Sequence, residues 1–455
     1  MIVLRGIHKI HRIIVLAAFI LITLSSIPSY AYLRIHPENS HYFQETKTGK
    51  PVIFTGFGSI VPTAMDADYR KDIKEFKRND VTYARVWHFL PWAGDKAIWP
   101  WERSNVPGAP MGGNKIDMEK WNPIYWNRMR ESMSLADKAG IYAEIHLFDR
   151  CGMSPAEPER WGGNPWASDN NINNLETPPA SEDGTPEFYQ YAVRPNLRAQ
   201  QERYVKKMID ETIRYPNVIY EIENEHWEDS SPDFAAHYAR FVKGYITGRY
   251  PKSPRLVSYS SLVNDLEFFY DINDVDIINK HFGDEPERNP DVLNQYIEPR
   301  WKNNKAINLD EFANGLKDPD ILRKMCWTIV ASGGNFHIED AQPESKPFDA
   351  VRNIRRFLKE SKWDFVHSAP DRRLITSGDG YCMAQRGREY LAYFPEGGEK
   401  RIRLDASAEY SARWWNPRTG RFSKPISVEQ TGNEAILQTP DPSDWVLHIK
   451  EVDDY

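Results

Sequence analysis

The sequence predicts an α/β chain, a (β/α)8 TIM barrel with a small C-terminal all-β sandwich. Three observations carry this. Apolar, β-branched or aromatic runs alternate with amphipathic stretches across residues 50–362, and eight such runs can be counted. No Gly-rich phosphate loop follows the first run, which weighs against a doubly wound open sheet. From about residue 370 the runs become short and are separated by Gly, Pro and Asn turns. A length of 455 residues suits one large domain plus one small one.

Taken in order, residues 1–31 read as a secretory signal. Arg5, Lys9 and Arg12 precede an apolar run at 13–24, and small Ser29 and Ala31 flank Tyr30, placing cleavage after Ala31. The run is shorter than the roughly 18 residues a spanning helix needs. The expected mature protein is secreted or periplasmic, without stable membrane insertion. Residues 32–50 read as a short β-extension ending in the turn Thr48-Gly49-Lys50-Pro51. The barrel strands are expected at 52–57, 82–89, 141–148, 218–225, 255–260, 275–282, 306–312 and 334–339. Residues 201–214 place Tyr204, Val205, Met208, Ile209 and Ile213 at helical spacing. Residues 318–332 form another helix, stopped by Gly333 and Gly334. The barrel domain with its extension is expected over 32–362 and the sandwich over 366–455.

Composition narrows the function. With 40% hydrophobic and 27% charged residues the chain is neither disordered nor polytopic. Against 65 acidic residues stand 58 basic ones, so there is no excess to neutralise phosphates and nucleic acid is not an expected partner. Three cysteines, Cys151, Cys326 and Cys382, cannot make a disulfide framework. The 15 Trp and 23 Tyr suit either core packing or stacking on sugar faces. Two insertions, 90–120 and 149–196, follow strands and so belong on the C-terminal face, where such barrels keep their sites. They carry Trp92, Trp99, Trp101, Trp161 and Trp166 in polar surroundings, which points to a carbohydrate cleft.

The chemistry is expected where strands end in acids. Residues 216–225, PNVIYEIENE, deliver Asn224 and Glu225; residues 305–312, KAINLDEF, deliver Asp310 and Glu311. Two carboxylates facing each other across a barrel mouth are what glycoside hydrolysis requires. Strand alternation gives Glu221 and Glu223 the parity of Glu225, toward the interior, and sends Asp310 and Glu311 to opposite faces.

PNVIYEIENE resembles the fourth-strand signature of the retaining glycoside hydrolases of clan A, the cellulase-like and apiosidase-like barrels. KAINLDEF resembles their seventh-strand pattern Lys-Pro-x-x-x-x-Glu-Phe-Gly, with Ala306 in place of the Pro. The resemblance implies Glu225 as general acid/base, Glu311 as nucleophile and Asn224 as a substrate-binding neighbour. YARVWHF at 83–89 is similar to the second-strand segment whose Arg supports the nucleophile, hence Arg85, with Trp87 beside it. IYAEIHLF at 141–148 is similar to the third-strand segment ending in an active-site His, hence His146. His281, Trp161, Trp166 and Trp227 complete the expected substrate-binding set. WWNPRTG and SDWVLHI in the tail resemble the small β-domain of apiosidase-like barrels that carries a collagen-binding label.

There are departures. The sixth strand reads His281-Phe282-Gly283 where the group often has His-x-Tyr, the Tyr bonding the nucleophile; the eighth reads Asn335 to Asp340 with no Trp. The expected activity is a retaining glycoside hydrolase acting on a carbohydrate with no cofactor or metal. Glu225 must then be protonated at rest, raised by burial and by the charge of Glu311. The alternatives are a glycan-binding barrel without turnover, and a metal-dependent hydrolase or isomerase built on His88, His146, His281 and His337.

Overall fold

The computed structural model describes residues 32–88, 90–153, 158–182, 188–189, 194–226, 231–262, 267–282 and 289–452. The expected leader at 1–31 and Trp227 lie outside these residues. The barrel strands are β1 (Thr55–Ile60), β2 (Tyr83–Val86), β3 (Tyr142–Asp149), β4 (Val218–Asn224), β5 (Val257–Ser261), β6 (Ile277–His281), β7 (Ala306–Glu311) and β8 (Asn335–Ile338). Each pairs in parallel with its neighbours in sequence, and β8 closes on β1. All eight expected runs are strands. The helices that follow them are α1 (Tyr69–Arg78), α2 (Pro123–Ala139), α3 (Pro195–Thr212), α4 (Pro232–Arg249), α5 (Phe268–Asp271), α6 (Asp291–Arg300), α7 (Pro319–Ala331) and α8 (Pro347–Ser361).

Local sequence starts several of these helices. Pro123, Pro232 and Pro319 open α2, α4 and α7, where a missing N–H costs nothing. The residue before each caps a free backbone N–H: Asn122 accepts from Ile124, Ser231 from Asp233, and Asp318 from both Asp320 and Ile321. Gly140 ends α2 in the left-handed region.

The barrel interior is layered. At the N-terminal end the extension, a three-stranded antiparallel sheet, puts Phe43 against Phe54, and Phe54 against Tyr83, with centroids 4.1 and 4.5 Å apart. Above this stack the interior turns polar. Tyr83 donates to Glu144, Ser258 Oγ donates to Glu144 at 2.6 Å, and Asn279 Nδ2 donates to both Glu144 and Glu221. The first long insertion forms a β-hairpin, Trp101–Pro107 with Asn114–Trp121.

The tail folds into two antiparallel sheets within 369–451. Tyr390, Phe394, Trp414 and Leu447 lie in the core between them. The alternate residues Met383, Tyr393, Trp415 and Val446 belong instead to the core of the barrel domain. There Trp327 of α7 stacks on Tyr393 and Phe357 of α8 meets Trp415 edge-on, 6.2 and 5.6 Å between centroids. Arg323 adds a two-pronged ion pair to buried Asp444 at 3.0 and 2.9 Å. Strand alternation thus gives one sheet two apolar faces, one for its own partner sheet and one for the barrel.

Candidate active site

The C-terminal mouth is organised around Arg85, a fully buried guanidinium on β2. It bonds Glu339 at 2.5 Å, Glu221 at 2.9 Å and the Asn224 side-chain oxygen, with Asp310 at 3.6 Å from Nε. A buried cation is tolerated only with such partners, and it holds the Glu339 carboxyl below its ordinary range despite burial. The charge of Arg85 also lowers Glu311, in line with the expected support of that carboxyl, while its hydrogen bonds go to Glu221, Glu339 and Asn224. Asn224 spends both ends of its amide on the protein, since its Nδ2 donates to Asp149 at 2.9 Å.

Glu225 and Glu311 come together. One oxygen of each lies within 4.8 Å of the other's and of a His281 nitrogen, and both side chains keep 16% of their exposure. Two local devices aim them. Glu225 has φ +57°, a strained conformation for a non-glycine residue, directly after β4 ends. Between β6 and β7 the register shifts: Lys280 faces Leu309 but His281 faces Glu311, leaving Asp310 as the extra residue of a β-bulge. The bulge overrides the alternation expected for Asp310 and Glu311, and both reach the same imidazole. His281 Nδ1 lies 3.0 Å from Glu311 and 3.4 Å from Glu225, and its Nε2 lies 3.2 Å from Asp310. Asp310 is fully buried, whereas Glu311 reaches the mouth.

The electrostatics reverse the expectation for the resting proton. Burial pushes the Glu225 carboxyl up, but the hydrogen bond and charge of His281, with Cys151 and Arg85 adding, hold it below its ordinary range. Burial drives Glu311 up to about 8 against the pull of His281, with Glu339 and Glu225 adding. Burial works against a charged His281, yet Asp310 and Glu311 raise it well above the usual imidazole range. The two carboxyls are thus shifted in opposite directions, Glu225 down and Glu311 up.

The remaining expected residues separate. His146 is buried, 3.7 Å from Glu221 and edge-on to Trp87 at 5.0 Å. His337 faces the carbonyls of Asp310 and Gly58, and His88, buried, falls to about 3. Two trios among the described residues bring three potential metal-ligand atoms within 4.8 Å, Glu225–His281–Glu311 and Glu144–Glu221–Asp310; of the four histidines only His281 takes part. Trp161 and Trp166 are corrections: they are 1% and 0% exposed and form a core under the insertions. Trp161 donates to the Pro179 carbonyl, and Trp166 packs edge-on against Trp101 and Phe188. A ring with no exposed face cannot stack on a sugar. Trp99 and Trp101 are buried as well, while Trp87 is half-buried. Glu223 is a further correction, bonding Tyr259 and His226. Tyr259 stacks on Phe269 of the helix layer, so Asn224, and not Glu223, reaches Arg85.

Sequence reasoning missed three participants. Glu339 at the end of β8 accepts from Arg85 and, at 2.8 Å, from Ser59. Asp149 at the end of β3 orients Asn224 and is pushed up to about 7 by burial. The Cys151 thiol, two residues on, helps to hold the Glu225 carboxyl low. The strand-end acids carried the same signal as Glu225 and Glu311, a carboxyl closing an apolar run.

The fold has solved relatives. A Bacteroides vulgatus protein described as a "putative glycoside hydrolase" superposes with a TM-score of 0.67 at 12% identity, covering 94% of this chain and 84% of its own. A glycoside hydrolase family 5 protein from the same species gives 0.62 at 14% identity, covering 93% of each chain. The family 5 mannosidase of Rhizomucor miehei gives 0.50 at 15% identity, covering 69% of this chain and 86% of its own. Residues 369–450 match the family model described as "Putative collagen-binding domain of a collagenase". No curated protein matches the chain in sequence. At these identities the likeness is one of fold: an eight-stranded parallel barrel of the kind found in glycoside hydrolases, joined to an antiparallel β-domain.

Proposed function

We propose that this chain is a retaining glycoside hydrolase that is exported and cleaves O-glycosidic bonds of an oligo- or polysaccharide. The observation that carries the reading is the Glu225–Glu311 pair at the C-terminal mouth, with oxygens within 4.8 Å of each other. Retaining enzymes hold their carboxyl groups about 5–5.5 Å apart, and inverting ones leave about 6.5–9.5 Å for a water. Glu311 attacks the anomeric carbon while Glu225 protonates the leaving oxygen; Glu225 then activates water to release the sugar. Attack requires Glu311 ionised and Glu225 protonated, the reverse of the order toward which burial and His281 shift the two carboxyls. Half-buried Trp87 is the candidate sugar platform. Asn224, Arg85, His146 and His281 act from below, setting the positions and charges of the carboxyl pair. The barrel folds of the solved glycoside hydrolases support the reading, and the leader at 1–31 supports export.

The test is a screen of plant, microbial and algal polysaccharides for released sugars, with Glu225→Gln as control and the anomer of the first product read by NMR. A first product of inverted configuration would overturn the retaining mechanism. Glycan binding without turnover would favour the binding-protein alternative. Activity lost to EDTA and restored by a divalent cation would favour a metal on the Glu225–His281–Glu311 trio.

A further inference from the structure

We propose that the N-terminal end of the barrel carries a second carbohydrate site, which takes the oxyanion of an acidic sugar and holds an acidic polysaccharide while the opposite mouth acts on it. The site is a cavity of about 800 Å3 between the β-extension and the C-terminal end of α8, a size ordinary for a small-ligand pocket. Lys50 comes from the extension, Arg355, Arg356 and Lys359 from α8, and Lys362 from the residue that caps it. Two acids, Asp80 and Glu360, share the cavity. The whole chain has a formal charge of −7, so five cations against two acids in one cavity is a local reversal of sign. The choice of a glycan, though not that of an anion, rests on the hydrolase reading.

The protein itself leaves most of these cations unmatched. Among the described residues, no hydrogen bond or ion pair engages the side chain of Lys50, Arg355, Lys359 or Lys362. Arg356 is engaged, by the Gly420 carbonyl at 3.3 Å and by Glu360 at 3.9 Å. Arg355 is half-buried, and burial holds it below the usual arginine range although Asp80 and Tyr142 favour its charge from a distance. A guanidinium drawn out of water without a paired anion is costly, and a bound anion offsets that cost. The negative end of the α8 dipole accounts for Lys359 and Lys362. It does not account for Lys50, on another element, or for Arg355, which lies outside the last turn and repels Lys359 four residues on.

The lining fits one oxyanion on a sugar. Arg355 offers a planar fork that meets a carboxylate or a sulfate through paired N–H donors, with the lysines as point charges around it. Pro51 and Leu358 add an apolar wall for the C–H face of a sugar ring. Because Arg355 is half-buried while Lys50, Lys359 and Lys362 are exposed, a flat membrane surface would meet the lysines alone. Ile53 precedes β1, Asp80 precedes β2 and Lys362 follows α8, so the cavity lies at the end of the barrel away from Glu225 and Glu311. A polymer held there leaves the mouth open, and two points of attachment on one polymer raise the apparent affinity.

Calorimetry on the full mature chain, with tri-galacturonate, its methyl ester, an oligomer of sulfated carrageenan and inorganic sulfate, tests the site. At least one charged oligomer should bind more tightly than the ester, and the more weakly the higher the salt. Arg355→Gln should lower that affinity about 10-fold, and Lys359→Gln combined with Lys362→Gln about 3-fold. Thermal melts accompany each variant, and the lysine pair decides if Arg355→Gln fails to fold. Neither variant should change kcat on a short neutral glycoside. Charged oligomers bound no more tightly than the ester, or equally by every variant, overturn the site. Sulfate bound as tightly as either oligomer would reduce it to an inorganic-ion site. Phosphatidylglycerol vesicles bound by wild type and not by the variants, with no oligomer bound, would make it a lipid contact; either result overturns the glycan. These measurements need no turnover. A wild type that binds the acidic oligomer through Arg355 yet cleaves no glycoside would sink the hydrolase reading and leave this site standing.

Discussion

At the N-terminal end of the barrel the strands meet through Phe43, Phe54 and Tyr83, stacked and fully buried. At the C-terminal end the same strands meet through Arg85, His281 and a ring of carboxyl groups. The first end stabilises by removing apolar surface from water, about 25 cal/mol per Å2. The second buries charges whose desolvation is recovered only through their partners. Stability is thus concentrated at the closed end, and the open end gives it up for groups whose proton affinities are displaced far from those in water.

The largest effect should come from the open end. Glu311→Ala should lower kcat by more than about 10⁴-fold, with added azide restoring turnover to product of inverted configuration. Asp310→Ala restored by azide, with Glu311→Ala still active, would exchange the two roles.

The comparison sharpens when each end is broken in turn. Phe54→Ala should cost about 3–5 kcal/mol in denaturant unfolding, nearly independent of pH. Arg85→Ala should cost a similar amount at pH 7, because Glu221 and Glu339 lose their cation. It should cost less near pH 5, where those carboxyls can protonate. Equal pH dependence of the two variants would deny Arg85 its part in holding the charges.

The tryptophans divide along the same line. Trp166→Ala should destabilise by about 3–5 kcal/mol, seen in the melting temperature. Trp87→Ala should leave the melting temperature nearly unchanged and weaken binding of the cleaved glycan. Weakened binding from a still-stable Trp166→Ala would return that ring to the cleft.

The smallest effect is a slope. Burial raises Asp149 to about 7 and Glu311 to about 8 in the folded chain, against about 4 when unfolded. Between those limits the folded state binds more protons than the unfolded one, so these two groups make stability fall as pH rises from about 4 to about 8. Asp149→Asn and Glu311→Gln should each flatten the decline, with the gain largest at pH 8. A steeper decline in either variant would contradict the assignment.

All eight barrel strands were legible because a strand buried on both faces needs a near-continuous apolar run whatever the rest of the chain does. Glu225 and Glu311 were legible for the same reason, as acids closing such runs. The polar layer was not. Alternation turned Glu221 inward, but Glu144 looks like any other acid in sequence, and only guanidinium or amide partners explain why both are buried. Trp161 and Trp166 misled because local polarity says nothing of what a loop folds over; Trp101, Phe188 and Tyr204, from three separate segments, enclose Trp166.

The one-dimensional pattern of this chain determined its barrel, its β-rich tail and the strand ends that carry the acids, because periodicity and burial are set residue by residue. Tertiary structure alone decided which acids meet. A register shift beside Asp310 and a left-handed turn at Glu225 re-aim side chains by one position. Alternation along a single strand cannot foresee either, since both arise from pairing with neighbours distant in sequence. The approach of His281 to Asp310, Glu311 and Glu225 was decided there too, because it needs β4, β6 and β7 in one closed barrel.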